Sequence, residues 1–251
     1  MIEKIPMYKK ILFIAGLSFL FAFEQESIPA QKSFITFVGV KFNLVQNGNA
    51  PKRYLWIHGD EKTAKMALEN HIKNYQGTAF FIQNEEREIP FENTIIDPNR
   101  VFSRNGAYYA LRKFQPGWPP GSLKKALDQI DKDRKIFLNI LMPSKDGLLI
   151  AVHNNFRGYN VRDEEPKSQR TSIKKEQNPR DFILCTNEDD FEKLSLGPFN
   201  VVLQNELPLS DDGSLSWEAL RRNVRYLNVE TRLGYLSQQK KMLKFIEKVL
   251  E

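Results

Sequence analysis

The residues able to do chemistry stand at the ends of apolar runs. Tyr54-Leu55-Trp56-Ile57 leads into His58-Gly59-Asp60-Glu61, so a histidine and a carboxylate three positions later arrive where a strand gives way to a helix. Imidazole nitrogen and carboxylate oxygen are both ordinary zinc ligands, and a catalytic zinc takes three protein ligands plus an open position. The chain has 3 histidines, His58, His71 and His153. His153 closes the run Gly147 to Val152, and Glu230 closes a third run, Arg225 to Val229. Ligands of open α/β sheets bind outside the carboxyl ends of the strands, so these strand ends are expected to share one site. Each residue taken singly has a plainer reading. A strand-end histidine is usually hydrogen-bonded into the structure, a strand-end glutamate is usually solvated, and His71 reads as part of a helix's inner face. The combination is what points to chemistry.

In chain order, His58-Gly59-Asp60-Glu61, Asp97-Pro98-Asn99-Arg100-Val101-Phe102, His153-Asn154-Asn155 and Asn228-Val229-Glu230 resemble the motifs of the zinc carboxypeptidase superfamily. The resemblance is greatest to its aspartoacylase/succinylglutamate desuccinylase branch, and it covers residues 58–230. It implies zinc held by His58, Glu61 and His153. It implies Glu230 as general base, taking a proton from zinc-bound water and passing it to the leaving amine. It also implies Asn99 and Arg100 on a substrate carboxylate, a role that suits the planar donor fork of arginine. Pro98 stands where the family usually has leucine, which leaves Asn99 and Arg100 in place. No motif fixes a second arginine to polarise the scissile carbonyl. Arg87 and Arg104 are the candidates, with Arg87 preferred because it precedes the substrate motif.

The implied activity is zinc-dependent hydrolysis of an amide bond adjacent to a carboxylate, of carboxypeptidase or N-acyl amino acid deacylase type. The expected partner is a small carboxylated amide or peptide. The alternative is a catalytically inactive relative that binds carboxylated or cell-wall peptides. Retention of Glu230 and of all three proposed ligands argues against that alternative.

The elements that must position these residues follow from periodicity. Ser33 to Gln46 reads as strand, Arg53 to Ile57 as the strand entering His58, and Thr63 to Tyr75 as helix. Thr78 to Ile82 is strand, Arg87 to Phe91 a brief one, and Pro98 excludes a regular helix. Ala107 to Phe114 is helical, and Ser122 is expected to cap a helix running to Leu141. Gly147 to Val152 is uninterruptedly apolar, as a central strand covered on both faces should be. Phe156 to Arg180 lacks a period and reads as a lid or mobile insertion, in which Tyr159 and Arg162 follow the histidine closely enough to reach a substrate. Strands at Asp181 to Cys185, Asn200 to Gln204 and Arg225 to Val229 alternate with helices, and Ser237 to Leu250 is a terminal amphipathic helix. The order predicts an α/β fold: a mixed, mostly parallel sheet flanked by helices on both faces.

Composition bounds the alternatives. The chain has 251 residues with 41% hydrophobic and 27% charged, a globular balance that allows one sizeable core. Its formal charge of +6 comes without a basic cluster or nucleic-acid module, so no nucleic-acid partner is expected. Lys9-Lys10 followed by the apolar run Ile11 to Phe23 reads as a signal peptide or N-terminal anchor over residues 1–23, too short for an ordinary membrane span. That places the protein in the periplasm or outside the cell, touching a membrane only if the leader is retained. Residues 33–251 then form one zinc hydrolase-like domain. The 1 cysteine, Cys185, lies in an apolar run and reads as a buried inert thiol. Asp211-Asp212-Gly213 reads as a turn.

Overall fold

The computed structural model describes residues 33–155 and 158–250. The expected leader lies outside them. The chain opens with strands β1 (Ser33–Phe37), β2 (Val40–Asn47) and β3 (Lys52–Trp56), helix α1 (Lys62–His71) and β4 (Gly77–Ile82). A small hairpin of β5 (Ile89–Phe91) and β6 (Thr94–Ile96) leads to a single 3-10 turn at Pro98–Arg100. Helices α2 (Arg104–Phe114) and α3 (Ser122–Leu141) precede β7 (Leu148–Asn155). Next come α4 (Val161–Glu164), β8 (Arg170–Ser172), β9 (Phe182–Cys185), α5 (Glu188–Ser195) and β10 (Asn200–Leu203). The chain closes with α6 (Leu215–Arg221), β11 (Arg225–Arg232) and α7 (Leu236–Val249).

Nine strands form one sheet in the order β1-β2-β4-β3-β7-β11-β9-β10-β8. The four central strands β4, β3, β7 and β11 are parallel, and tracing the pairings outward leaves six of the nine running the same way. The sheet is therefore mixed and mostly parallel, as expected. All eight residues of β7 are buried, both faces being covered, which explains the unbroken apolar run Leu148 to Val152; the strand continues past the expected end through His153 to Asn155.

Helices pack on both faces, and alternation along the strands decides which side chains meet them. On one face Tyr54 meets His71 of α1 edge-on at 5.1 Å, and Thr231 reaches Met242 of α7. On the other, Phe137 of α3 stacks on Phe37 at 4.4 Å and contacts Phe42, Phe80 and Phe102. Emptying the centre of such a cluster by Phe137→Ala costs about 3–5 kcal/mol in comparable cores. This aromatic knot holds α3 and the Phe102 end of the 3-10 segment against the sheet.

Three local expectations are corrected. Ser33 to Gln46 is not one strand but the β1/β2 hairpin, turned at Val38-Gly39 where both φ angles are positive, 44° and 84°. That turn conformation matches the twist of the flanking strands, but valine gives no warning of it. The N-cap of α3 is Gly121, with φ 77°, and Ser122 is already helical. The described part of Phe156 to Arg180 is not a structureless lid. Asn160 and Asp163 form a capping box that starts α4, and β8 adds to the sheet against β10.

Candidate metal centre

His58 comes two residues after the end of β3, and the backbone turns at Gly59 before Glu61 opens α1. Only glycine fits there. A Cβ on residue 59 would lie 2.2 Å from the carbonyl oxygen of Asn84, and the Gly59 N–H donates to the Glu86 carbonyl at 3.0 Å. The same close approach brings Arg87 onto the site.

The structure brings His58, Glu61 and His153 together, all three buried, with one ligating atom of each within 4.8 Å of the others. Both histidines present Nδ1 to the same carboxylate: His58 to Oε1 of Glu61 at 2.8 Å and His153 to Oε2 at 3.0 Å. Nε2 of His58 lies 2.9 Å from Oδ1 of Asp97. That carboxylate sets the tautomer, leaving a lone pair on Nδ1. In a neutral ring the lone pair would face the lone pairs of Glu61, so the arrangement calls for a positive charge among the three atoms, a proton or a cation. Two nitrogens and a carboxylate oxygen suit zinc. The residues fit the ion that the motifs imply.

The charges follow from burial and pairing. Burial lowers the His58 imidazole's affinity for a proton, but the Glu61 and Asp97 carboxylates outweigh it and push its pKa up to about 9. Burial would raise Glu61, yet His153 and His58 hold it well below the usual carboxylate range. Asp97 is likewise held low, against burial, by His58, Arg87 and Arg100.

Glu230 reaches the same cavity from β11, as register partner of His153 on β7. Burial raises its pKa, and neighbouring Glu61 pushes the same way against His153 and two amide donors. Those donors are Asn155 Nδ2 on Oε2 and Asn228 Nδ2 on Oε1, each at 3.2 Å. Asn155 is itself held by Arg180, whose Nε donates to its side-chain oxygen at 2.9 Å. Glu230 is a carboxylate with its proton affinity turned up and both oxygens oriented. Those are properties a proton shuttle needs.

The cavity, about 320 Å³, also takes in Asn99, Arg100 and Arg87. Asp97 caps the 3-10 turn by accepting from Asn99 N at 2.8 Å, and Asn99 Oδ1 accepts from Leu215 N at 3.1 Å. Among the described residues Arg100 makes no ion pair; its guanidinium donates to the Asn99 carbonyl at 2.8 Å. Arg87 differs. It donates to Glu61 Oε1 at 3.0 Å and lies 3.4 Å from Asp97 Oδ2, so it bridges the proposed ligand and the residue orienting His58.

The remaining candidates separate cleanly. Tyr159 lines the cavity and donates to Glu164 at 2.8 Å, whereas Arg162 is exposed and outside it. Arg104 is exposed and paired with Asp128 and Asp131. His71 is buried but belongs to another cluster, its Nε2 3.0 Å from Glu247. Cys185 is fully buried and burial pushes its thiol up, so it is inert. Asp211 and Asp212 each accept from a backbone N–H two residues on, which is turn chemistry. Sequence reasoning missed the roles of Asp97, Asn155 and Asn228. The alternation Tyr226, Asn228, Glu230 was a readable signal that these residues share one face of a strand.

No protein-family model matches the sequence and no curated protein matches it. Solved structures similar to it include the ectoine utilization protein EutE (DoeB) of Ruegeria pomeroyi, with 14% identity and a TM-score of 0.42 over 88% of this chain and 68% of that one. A succinylglutamate desuccinylase/aspartoacylase of Rhodobacter sphaeroides has 13% identity and a TM-score of 0.39 over 83% of this chain and 58% of that one. An aspartoacylase family protein of Mesorhizobium loti has 14% identity and a TM-score of 0.43 over 84% and 61%. The chain thus spans about three fifths to two thirds of the length of these proteins.

Proposed function

We propose that the protein is a zinc-dependent hydrolase that cleaves an amide bond adjacent to a carboxylate. The observation that carries this reading is the convergence of His58, Glu61 and His153, with Glu230 and Arg100, which makes no ion pair among the described residues, lining the same cavity. The resemblance of the four ordered motifs supports it. His58 and His153 would hold the ion through Nδ1 and Glu61 through a carboxylate oxygen. When bound, zinc supplies Lewis-acid activation of water and of the scissile carbonyl.

The chain's own residues do the rest. Arg100, with Asn99 beside it, holds the substrate carboxylate and so sets which amide carbon faces the ion. Glu230 takes the proton of the attacking water and returns it to the leaving nitrogen, its orientation kept by Asn155 and Asn228. Arg87, paired with Glu61 and Asp97, keeps the two carboxylates aligned. The substrate is a small carboxylated amide, N-acyl amino acid or short peptide, matching a cavity of about 320 Å³. The leader read at residues 1–23 supports a periplasmic or secreted setting, where short peptides of the envelope are the available amides. Export is tested by sizing the mature chain in cell fractions. The function is tested by turnover of N-acyl amino acids and dipeptides by zinc-loaded protein, with Glu230→Gln as control.

A further inference from the structure

The two amides that hold Glu230 are not equivalent. Asn155 donates to Oε2 and Asn228 to Oε1, each at 3.2 Å. The Asn155 amide is engaged at both of its ends. Its oxygen accepts from Arg180 Nε at 2.9 Å, and its Nδ2 also donates to the Arg180 carbonyl at 2.8 Å. Arg180 closes the clamp by donating through Nη2 to the Asn155 carbonyl at 2.7 Å. Turning this buried amide over would set its NH2 against the guanidinium, and its oxygen against a carbonyl and a carboxylate. Asn155 therefore has one orientation and faces Glu230 as a donor only.

Asn228 has the opposite character. Its side chain lines the cavity, its Nδ2 faces Glu230, and its Oδ1 is buried with no hydrogen-bond partner among the described residues. An unmade buried acceptor costs about 1–3 kcal/mol, and a native structure keeps few of them. Here the cost has a use. No partner holds Oδ1, and the last torsion of an asparagine side chain is broad and two-fold, so the amide is free to rotate. Turned over, it offers Oδ1 to Glu230 in place of Nδ2. One end of the amide is unpartnered in either orientation, so turning over carries no penalty that staying put avoids.

We propose that Asn228 is a positioning residue that follows the proton of Glu230, donating to Oε1 of the bare carboxylate and turning over to accept from Oε1–H once the proton has arrived. This rests on the proposed function, which makes Glu230 the base. The attacking water breaks one O–H bond, gives that proton to Oε1 and bonds through its oxygen to the acyl carbon. The C–N bond then breaks with its electron pair on nitrogen, and the Oε1 proton forms the new N–H bond of the leaving amine. Glu230 is a carboxylate again and Asn228 returns to its first orientation. Oε2 keeps a donor throughout, because Arg180 does not let Asn155 turn. The clamp on one amide and the freedom of the other assign the proton to one oxygen.

The test reads the amides directly. Glu230→Gln places an NH2 where one carboxylate oxygen stood, a fixed copy of the protonated base. Side-chain amide NMR spectra of 15N-asparagine-labelled, zinc-loaded wild type and Glu230→Gln are compared, with the two signals assigned by through-space contacts. The Asn228 signal is expected to move upfield as its proton loses the carboxylate, while that of Asn155 holds its place. An Asn155 signal that moves while that of Asn228 stays overturns the proposal, and so do two signals that move alike or not at all. Asn228→Thr and Asn228→Val give a second reading, because they share a shape but only the hydroxyl can both donate and accept. The valine variant is expected to have a kcat about tenfold or more below that of the threonine variant, with KM and zinc content alike. Equal kcat values overturn the proposal, as does a loss in the valine variant that falls on zinc content and melting temperature instead. Zinc-loaded wild type that turns over no N-acyl amino acid or dipeptide contradicts the proposed function, and the amide spectra, which need no turnover, separate the two failures.

Discussion

Glu230 and His153 are register partners on the adjacent parallel strands β11 and β7, so the proposed base and a proposed metal ligand stand side by side at one level of the sheet. Neither is on a flexible loop, and both project from the face opposite α1 and α7. The geometry between base and metal is therefore fixed by backbone hydrogen bonds of the sheet centre, which is the most rigid part of the fold.

Glu230→Gln is expected to lower kcat by about 10²–10⁴ while leaving the zinc content unchanged. The amide keeps the shape and its oxygen still accepts from Asn155, the Asn228 amide turning over to accept from its NH2, but it cannot take a proton. Steady-state kinetics beside metal analysis checks this. A variant that lost zinc in parallel with activity would assign Glu230 to the ligand set.

Asp97→Asn removes the carboxylate that fixes the tautomer of His58 and pairs with Arg87. Loss of such an outer partner typically weakens metal affinity about 10–100-fold. Competition with a chromogenic chelator would measure it, and wild-type affinity in the variant would deny Asp97 this role.

Gly59→Ala tests the turn that delivers the HxxE pair. Its Cβ would meet the backbone at Asn84, so the 84–87 segment must move and take Arg87 with it. Overpacking of this kind costs about 1–3 kcal/mol, and zinc affinity should fall together with stability. Denaturant unfolding of the metal-free and loaded proteins reads both.

Acid stability should depend on a cluster remote from the metal centre. Burial would raise the Glu247 carboxyl, but hydrogen bonds from His71, Lys52 and Tyr54 hold its pKa down to about 2, against 4.5 as the ordinary value. A depressed folded-state pKa contributes stability that is full above the unfolded value and lost as pH falls through the folded one. Wild type should therefore lose stability between about pH 4.5 and pH 2 more steeply than Glu247→Gln. At neutral pH the variant should be about 1–3 kcal/mol less stable. Parallel pH profiles for the two proteins would contradict this.

What was legible in the sequence tracks what side-chain pattern can encode. The apolar run of β7 showed a strand buried on both faces, and the positions of His58, His153 and Glu230 near the carboxyl ends of three strands pointed to a shared site, although β7 and β11 run two residues beyond His153 and Glu230. Pro98 showed that no α-helix forms there. Less visible was whatever depends on backbone conformation or on partners distant in the chain. The Val38-Gly39 turn has no asparagine or aspartate to announce it. The helix and edge strand within 156–180 rest on the Asn160–Asp163 cap and on pairing with β10, about thirty residues away. Arg87 could be placed at the site from order alone, but its pairing with both Glu61 and Asp97 needed the fold, as did Asn155's link between Arg180 and Glu230.

The most direct test of the central claim is metal analysis of purified wild type beside His153→Ala after zinc loading and exhaustive dialysis. The account predicts about one zinc per wild-type chain, and little or none in the variant, with a cooperative unfolding transition retained. Zinc absent from wild type, or held equally by His153→Ala, would contradict it.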